Sequence, residues 1–503
     1  MSVTEMNPGQ APATDRSRWI ALVVLCVGML MIVLDQTIVN VALPSIQRDL
    51  NFSTSSLAWV VNAYLIAFGG LLLLAGRLGD LVGRKRVFLT GLAVFTVASA
   101  LCGLADSQGL LVGARFVQGA GGALTSSVIL GMIVTSFPEP RELAKAMGVF
   151  SFVASGGASI GLLAGGVLTQ ALDWHWIFFV NLPIGALAML AAVRVVAADD
   201  GLGVRAGADL PGATLVTGAL MLAVYTIVKT SEFGWGSAHT LILGAAAVAI
   251  LGAFVAREAT ARTPLIPLRI FRSRNVSGAN VVQALMIAGI FGMFFLGAVY
   301  MQRVLGYDPL QVGLAYLPVA LSIGTFSLFV APRLNMSIGP RATLLPGLVL
   351  MAAGLLLFAA APVHASYVTH LLPVMLLLGV GAGVSFPSII TIAMSGAQPH
   401  EAGLASGLVN TAMQVGGALG LSVLATLSAS RAKDLLASGS SSAAATAGGL
   451  HLALIIGAGL VITSVVVAAV VLTPARALGQ APVQDAERDD ALRIGDELYS
   501  EAA

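Results

Sequence analysis

Charge is what this chain has least of. Only 10% of its 503 residues are Asp, Glu, Lys or Arg, against about 25% in a soluble globular domain. So few charges cannot coat a water-facing surface of this size, so the surrounding solvent is expected to be lipid. The formal net charge is +2, which gives no electrostatic footprint for nucleic acid. Cysteine is nearly absent too. Cys26 and Cys102 both lie in apolar stretches and read as free buried thiols, without a disulfide framework or a metal site. No G-x-x-x-x-G-K-[ST] loop occurs, so ATP is not the expected energy source. No strand–turn–helix bearing a nucleophilic serine and no zinc-type helix motif stands out, so no enzyme and no cofactor is expected.

Long apolar runs are what the chain does have. A membrane-crossing helix needs about 20 mainly apolar residues. That rule marks fourteen candidate spans, near 19–43, 55–76, 87–105, 109–134, 146–170, 175–197, 210–229, 238–256, 276–302, 310–331, 342–362, 367–393, 402–427 and 450–473. The seventh and eighth have the weakest signal. The first eighteen residues are polar and the run after them is too long for a signal-peptide core, so it is expected to stay as a helix.

Lysine and arginine set the orientation. With the N-terminus in the cytoplasm, the inner loops hold fifteen basic residues between Arg77 and Arg341. The outer loops hold five, Arg48, Lys229, Arg303, Arg431 and Lys433. The excess predicts an even number of spans with both termini cytoplasmic.

The chain also repeats itself. A shift of 259 residues superposes Pro140 on Pro399, Glu142 on Glu401, Ala146 on Ala405, Gly148 on Gly407, Gly157 on Gly416 and Gly161 on Gly420. A shift of 256 superposes Arg77 on Arg333, Leu78 on Leu334, Gly83 on Gly339 and Lys85 on Arg341. Parallel halves of about 200 residues, related by an axis along the membrane normal, are a transporter design. The expected organisation is a tail at 1–18, a six-helix bundle at 19–197, a linker with two extra helices at 198–274, a second bundle at 275–475 and an acidic tail at 476–503. The Ala/Ser/Gly-rich stretch 430–449 reads as a flexible outer loop.

Ionisable side chains at bilayer depth are costly, rare and usually functional. Asp35 lies in the first span and Arg115 in the fourth, with Asp209 at the rim of the seventh. A carboxylate held away from water can exchange a proton near neutral pH, or it can merely pin one helix to another. Arg115 either holds Asp35 ionised through a charge-assisted hydrogen bond or acts as a permanent clamp. The tight loop Gly76-Arg77-Leu78-Gly79-Asp80-Leu81-Val82-Gly83-Arg84-Lys85-Arg86 joins the second and third spans. Its glycines allow a sharp turn, and Asp80 can accept from arginines or a helix N-terminus. A plain positive-inside anchor accounts for the basic residues alone. Gly157, Gly161 and Gly165 recur every fourth residue in the fifth span, with Gly156 and Gly166 beside them, a surface that lets another helix approach closely. Trp174, His175 and Trp176 read as an interfacial aromatic belt.

Together these motifs resemble the major facilitator superfamily, in its fourteen-helix drug:proton antiporter family, over about 19–475. The loop with Gly76, Asp80, Gly83, Arg84 and Lys85 is similar to that superfamily's signature loop. Leu111 to Gly122, with Arg115, Gln118 and Gly119, resembles the fourth-helix motif linked with proton transfer. Leu34 to Pro44 resembles the first-helix segment of the fourteen-helix branch. The fifth-helix antiporter motif departs from the family pattern, because Gly161 is followed by Leu162 where a proline is usual. The Ala/Val/Gly-rich style resembles actinomycete antibiotic exporters. The resemblance implies an all-α membrane protein of two six-helix bundles and two inserted helices. It would act as a monomer in the cytoplasmic membrane and export drug-like molecules by alternating access against protons. Rival readings are a symporter or a metabolite or lipid exporter on the same fold, or a receptor or scaffold that transports nothing.

Overall fold

A backbone surrounded by lipid must bond its own N–H and C=O groups, which favours helices throughout. The computed structural model has that form, and it describes residues 15–137, 139–197, 199, 201, 203, 209–262, 264–395 and 402–473. The tail before residue 15, the acidic tail, Arg205, and Pro399 and Glu401 of the repeat lie outside the described residues. Among those described there is no strand.

The first half contains α1 (Asp15–Asp49), α2 (Thr54–Val82), α3 (Arg84–Gly103), α4 (Gln108–Ser136) and α5 (Pro140–Ala171). Its sixth span is split into α6 (Trp176–Phe179) and α7 (Asn181–Val195). Next come α8 (Leu210–Phe233) and α9 (Ala238–Thr260), so the two weakest spans of the sequence both form. The second half contains α10 (Arg274–Arg303) and α11 (Pro309–Thr325), which runs through a π-helical turn into α12 (Ala331–Ser337). It continues with α13 (Pro340–Ala359), α14 (Leu372–Ser395), α15 (Ala402–Ala437) and α16 (Ser442–Val471). Thirteen stretches among the described residues are long and apolar enough to cross a membrane, and α5 is the fourteenth long helix.

One expectation fails here. Residues 430–449 are not a flexible loop, because α15 runs on to Ala437 and α16 starts at Ser442. Alanine is the strongest helix former and propagates both helices past the apolar run. Ser441 then caps α16 by accepting from the Ala444 N–H at 3.2 Å.

Helices α1 to α7 pack as one bundle, with α1 on α5 and α7, and α4 between α2 and α3. Helices α10 to α16 form a second bundle, with α10 on α15 and α16, and α13 on α14 and α16. The pair α8–α9 stands beside α2 and α15. The bundles meet along α2–α15 and α5–α11. The repeat explains this pairing, since the second and fifth spans of each half face the fifth and second of the other. The α2–α15 seam contains the buried bond from Asn62 Nδ2 to Ser422 Oγ, 2.8 Å long. At the end opposite the basic loops, Gln302 Nε2 donates to the Val41 carbonyl at 3.0 Å and Arg303 Nη2 to Gln47 Oε1 at 2.8 Å. These bonds join α10 to α1.

Candidate functional site

Four helices of the first bundle converge on Asp35. Arg115 and Gln118 lie three residues apart on α4, and that spacing puts both on one helix face. Asp35 Oδ2 accepts from Arg115 Nη1 at 2.5 Å. Its Oδ1 accepts from Gln118 Nε2 at 2.8 Å and from Asn181 Nδ2, at the start of α7, at 3.3 Å. Arg115 also donates to the Val60 carbonyl of α2 at 3.0 Å and to Gln118 Oε1 at 2.8 Å. Its guanidinium carbon lies 4.4 Å from the Tyr64 ring centre and 5.7 Å from that of Phe178. Asp35, Gln118 and Asn181 are each 0% exposed and Arg115 is 1% exposed.

Gly119 makes this geometry possible. A Cβ there would collide with the Tyr64 backbone, so glycine lets α4 close on α2 and brings Arg115 within reach of Val60. The network extends outward. Asn181 donates to Ser99 Oγ at 3.1 Å, and Ser99 donates to the Phe178 carbonyl at 2.8 Å. Cys102 Sγ lies 3.6 Å from Gln118 Oε1, and both cysteines are free and buried. Chemically, the arrangement is a buried ion pair whose acid is bonded by three donors. One proton on Asp35 would cancel its charge and leave Arg115 without its counter-ion, and an unpaired buried charge is strongly unfavourable.

Asn181 and Tyr64 were not singled out by sequence. Asn181 precedes Leu182-Pro183 near the edge of a predicted span and reads as a boundary residue. Its only signal was an amide within an apolar run.

The signature-loop residues gather at the basic end. Asp80 Oδ1 accepts from Arg84 Nη2 at 3.3 Å, and Arg84 Nη1 donates to the Gly131 carbonyl of α4 at 3.4 Å. Gly83 has φ +100°, a conformation side chains disfavour, and turns α2 directly into α3. Gly76 has room, its nearest neighbour being the Ser127 Cβ at 3.9 Å from where a Cβ would stand. Asp80 does not cap α3. Asp199 does, with Oδ2 accepting from the Arg84 N–H at 2.8 Å and Oδ1 from the Lys85 N–H at 3.2 Å. Lys85 Nζ donates to the Val193 carbonyl at 2.9 Å. The bonds seen at this loop thus stay inside the first bundle. The acidic pair after the sixth span was the only sign of Asp199 in the sequence.

The glycine face of α5 has two partners. Cβ atoms at Gly157 and Gly165 would stand 2.9 Å from Leu30 Cδ1 and 2.7 Å from the Ile38 carbonyl, and one at Gly161 would strike the Thr37 hydroxyl, all on α1. Gly166 faces the other bundle, 2.9 Å from the Pro309 carbonyl. On α15, a Cβ at Gly416 would lie 2.5 Å from the Ala284 carbonyl of α10, and one at Gly420 would clash with Ala288. Two sequence readings change in detail. Trp174 is 3% exposed and bonds Asp49 Oδ2 at 2.8 Å, so it ties α1 to α6 and leaves Trp176, 45% exposed, as the belt residue. Asp209 is 2% exposed, buried rather than open at a rim.

Known proteins carry the same pattern. The chain is 40% identical over 451 residues to a puromycin resistance protein of Streptomyces alboniger, covering 89% of each. It is 39% identical to a cephamycin export protein of Amycolatopsis lactamdurans, covering 82% of this chain and 85% of that one. In fold it resembles the crystal structure of a bacterial homolog of the human lysosomal transporter Spinster, with TM-score 0.66 at 14% identity, covering 91% and 97%. A profile described as Major Facilitator Superfamily matches residues 25–421. The chain is a multi-pass membrane transporter rather than an enzyme, and it belongs to the Major Facilitator Superfamily.

Proposed function

We infer that this transporter exports drug-like or antibiotic molecules across the cytoplasmic membrane in exchange for protons. It works as a monomer with both termini inside, and the proton gradient is its energy source in place of any cofactor. The observation that carries this reading is the sealed Asp35–Arg115–Gln118–Asn181 network. A receptor or scaffold has no need of an ion pair buried in a bilayer, where such groups usually serve ion pathways. The named roles of the relatives in puromycin resistance and cephamycin export support the substrate class and the outward direction.

In the proposed cycle the substrate enters between the bundles from the cytoplasm while Asp35 is ionised and held by Arg115. The bundles rock, and the bonds from Gln302 to Val41 and from Arg303 to Gln47 open. The substrate leaves and a proton reaches Asp35. Arg115 reclaims the carboxylate on return and the proton departs inward. The loop of Gly76, Asp80, Gly83, Arg84 and Lys85 latches the inner side when the outer side is open. Its present bonds within the first bundle suit the opposite state.

Drug accumulation in cells tests the reading. Wild type should lower accumulation of puromycin or a related compound, and a protonophore should abolish that. Asp35→Asn, which keeps the side chain's shape, should raise accumulation to the level of cells lacking the protein. Asp35→Asn that still exports against a protonophore-sensitive gradient rules out coupling at Asp35. Uptake rather than export in oriented vesicles points to a symporter.

A further inference from the structure

The two inserted helices hold a second buried acid pair, at the basic end of the molecule. Asp209 caps α8, accepting from the Gly212 N–H at 3.1 Å. Glu258 is in the last turn of α9 and is 3% exposed. Its Oε2 accepts from the Ile266 N–H at 2.7 Å, while its Oε1 is buried with no hydrogen-bond partner among the described residues. That orphan oxygen is aimed at Asp209. Asp209 Oδ2 and Glu258 Oε1 stand 2.7 Å and 2.8 Å from the point a Cβ on Gly212 would occupy. The two oxygens are therefore no farther apart than the sum of those distances.

One cation is seen bonding the pair. Arg257 Nε lies 3.1 Å from Asp209 Oδ1 and 3.3 Å from its Oδ2. Among the other charges on elements packed here, Arg77 is on α2 and Arg269 on the 3-10 turn Leu268–Arg272, while Arg262, Arg272 and Arg274 are exposed. Helix α15 offers no ionisable side chain between Ala402 and Gln414. The surroundings are apolar, with Leu74 of α2, Ala213 of α8, Phe254 of α9, Ile266, Val276 of α10 and Leu408 of α15 in one cluster. Two close carboxylates in such a place cannot both stay ionised without cost, and a single shared proton relieves the repulsion.

We propose that Asp209 and Glu258 form a proton-binding site in the α8–α9 unit, separate from Asp35. The proton comes from the cytoplasmic side past the Arg257 side chain, which is 44% exposed. It bonds Glu258 Oε1, whose new O–H donates to Asp209 Oδ2. The occupied site holds the first turn of α8 against the last turn of α9. When the proton leaves, like charges push the two turns apart beside α2 and α15, the seam on which the bundles meet. The inserted pair thereby senses internal pH.

Infrared difference spectroscopy on the purified full-length protein, titrated with acid, reads the site without any drug. A carboxylic-acid C=O band should appear as the pH falls. It should vanish in Glu258→Gln, persist in Asp35→Asn, and change frequency in Asp209→Asn, where the acid's O–H loses its carboxylate acceptor. Bands unchanged in Glu258→Gln overturn the proposal. So does suppression of the band when sodium replaces choline at constant pH, which means that a cation occupies the gap. Should Glu258→Gln fail to fold, the Asp209→Asn spectrum decides alone, a shifted band supporting the site and an unshifted one refuting it. None of these outcomes depends on export being the protein's role.

Discussion

At the scale of single residues, Arg115 is the side chain whose loss should matter most to stability. It bonds Asp35, Gln118 and the Val60 carbonyl at once. Removing one partner of a buried ion pair costs about 3–5 kcal/mol, because the other charge is left unpaired. Arg115→Ala should therefore lower the thermal unfolding temperature in detergent sharply. Arg115→Lys should recover only part of it, since an ammonium lacks the planar fork that serves several acceptors. Equal unfolding temperatures for all three would show that the bonds stabilise nothing. Asp35 and Arg115 were legible in the sequence because charge stands out against an apolar run. Asn181 was not, because an amide near the end of a span resembles an ordinary boundary. Glu258 was missed because the apolar run of the eighth span stops at residue 256, whereas α9 continues to Thr260 and turns Glu258 inward.

At the scale of helices, close approach is set by hydrogen in place of a methyl group. Gly161→Ala would put a Cβ into the Thr37 hydroxyl and against the Leu34 carbonyl. Such overpacking typically costs about 1–3 kcal/mol, and α1 carries Asp35, so the strain reaches the ion pair directly. Gly113→Ala on α4 is the control, with no atom within 4 Å of its added carbon. Alanine there should be neutral or should gain up to about 1 kcal/mol of helix propensity. Unfolding midpoints and efflux of the two variants, compared side by side, check this. A Gly161→Ala protein as stable and active as the Gly113→Ala one contradicts the packing argument. The four-residue glycine spacing was legible, but its partner was not. Only the folded chain shows that Gly157, Gly161 and Gly165 serve α1 while Gly166 serves α11. The continuation of α15 and α16 past the apolar runs was equally hidden, because span-finding reads hydropathy and these extensions are held by helix propensity.

At the scale of the whole molecule, the repeat of 259 residues was the most informative feature of the sequence, since it predicts which helices of each half meet. If alternating access moves the bundles, the contact between α1 and α10 at the end away from the basic loops must open in every cycle. Gln47→Cys combined with Arg303→Cys, bridged by a short thiol crosslinker, should stop efflux, and cleaving the linker should restore it. The native thiols are buried and give little background. Undiminished efflux after complete crosslinking means the helices do not part there. The sealing of Asp35 has an electrical consequence. All three of its donors are in place, it has no exposed surface, and Arg115 beside it is faced by the rings of Tyr64 and Phe178. In this resting arrangement no file of water can carry current past it. An idle copy is an insulator, so a cell can fill its membrane with this protein and keep its voltage.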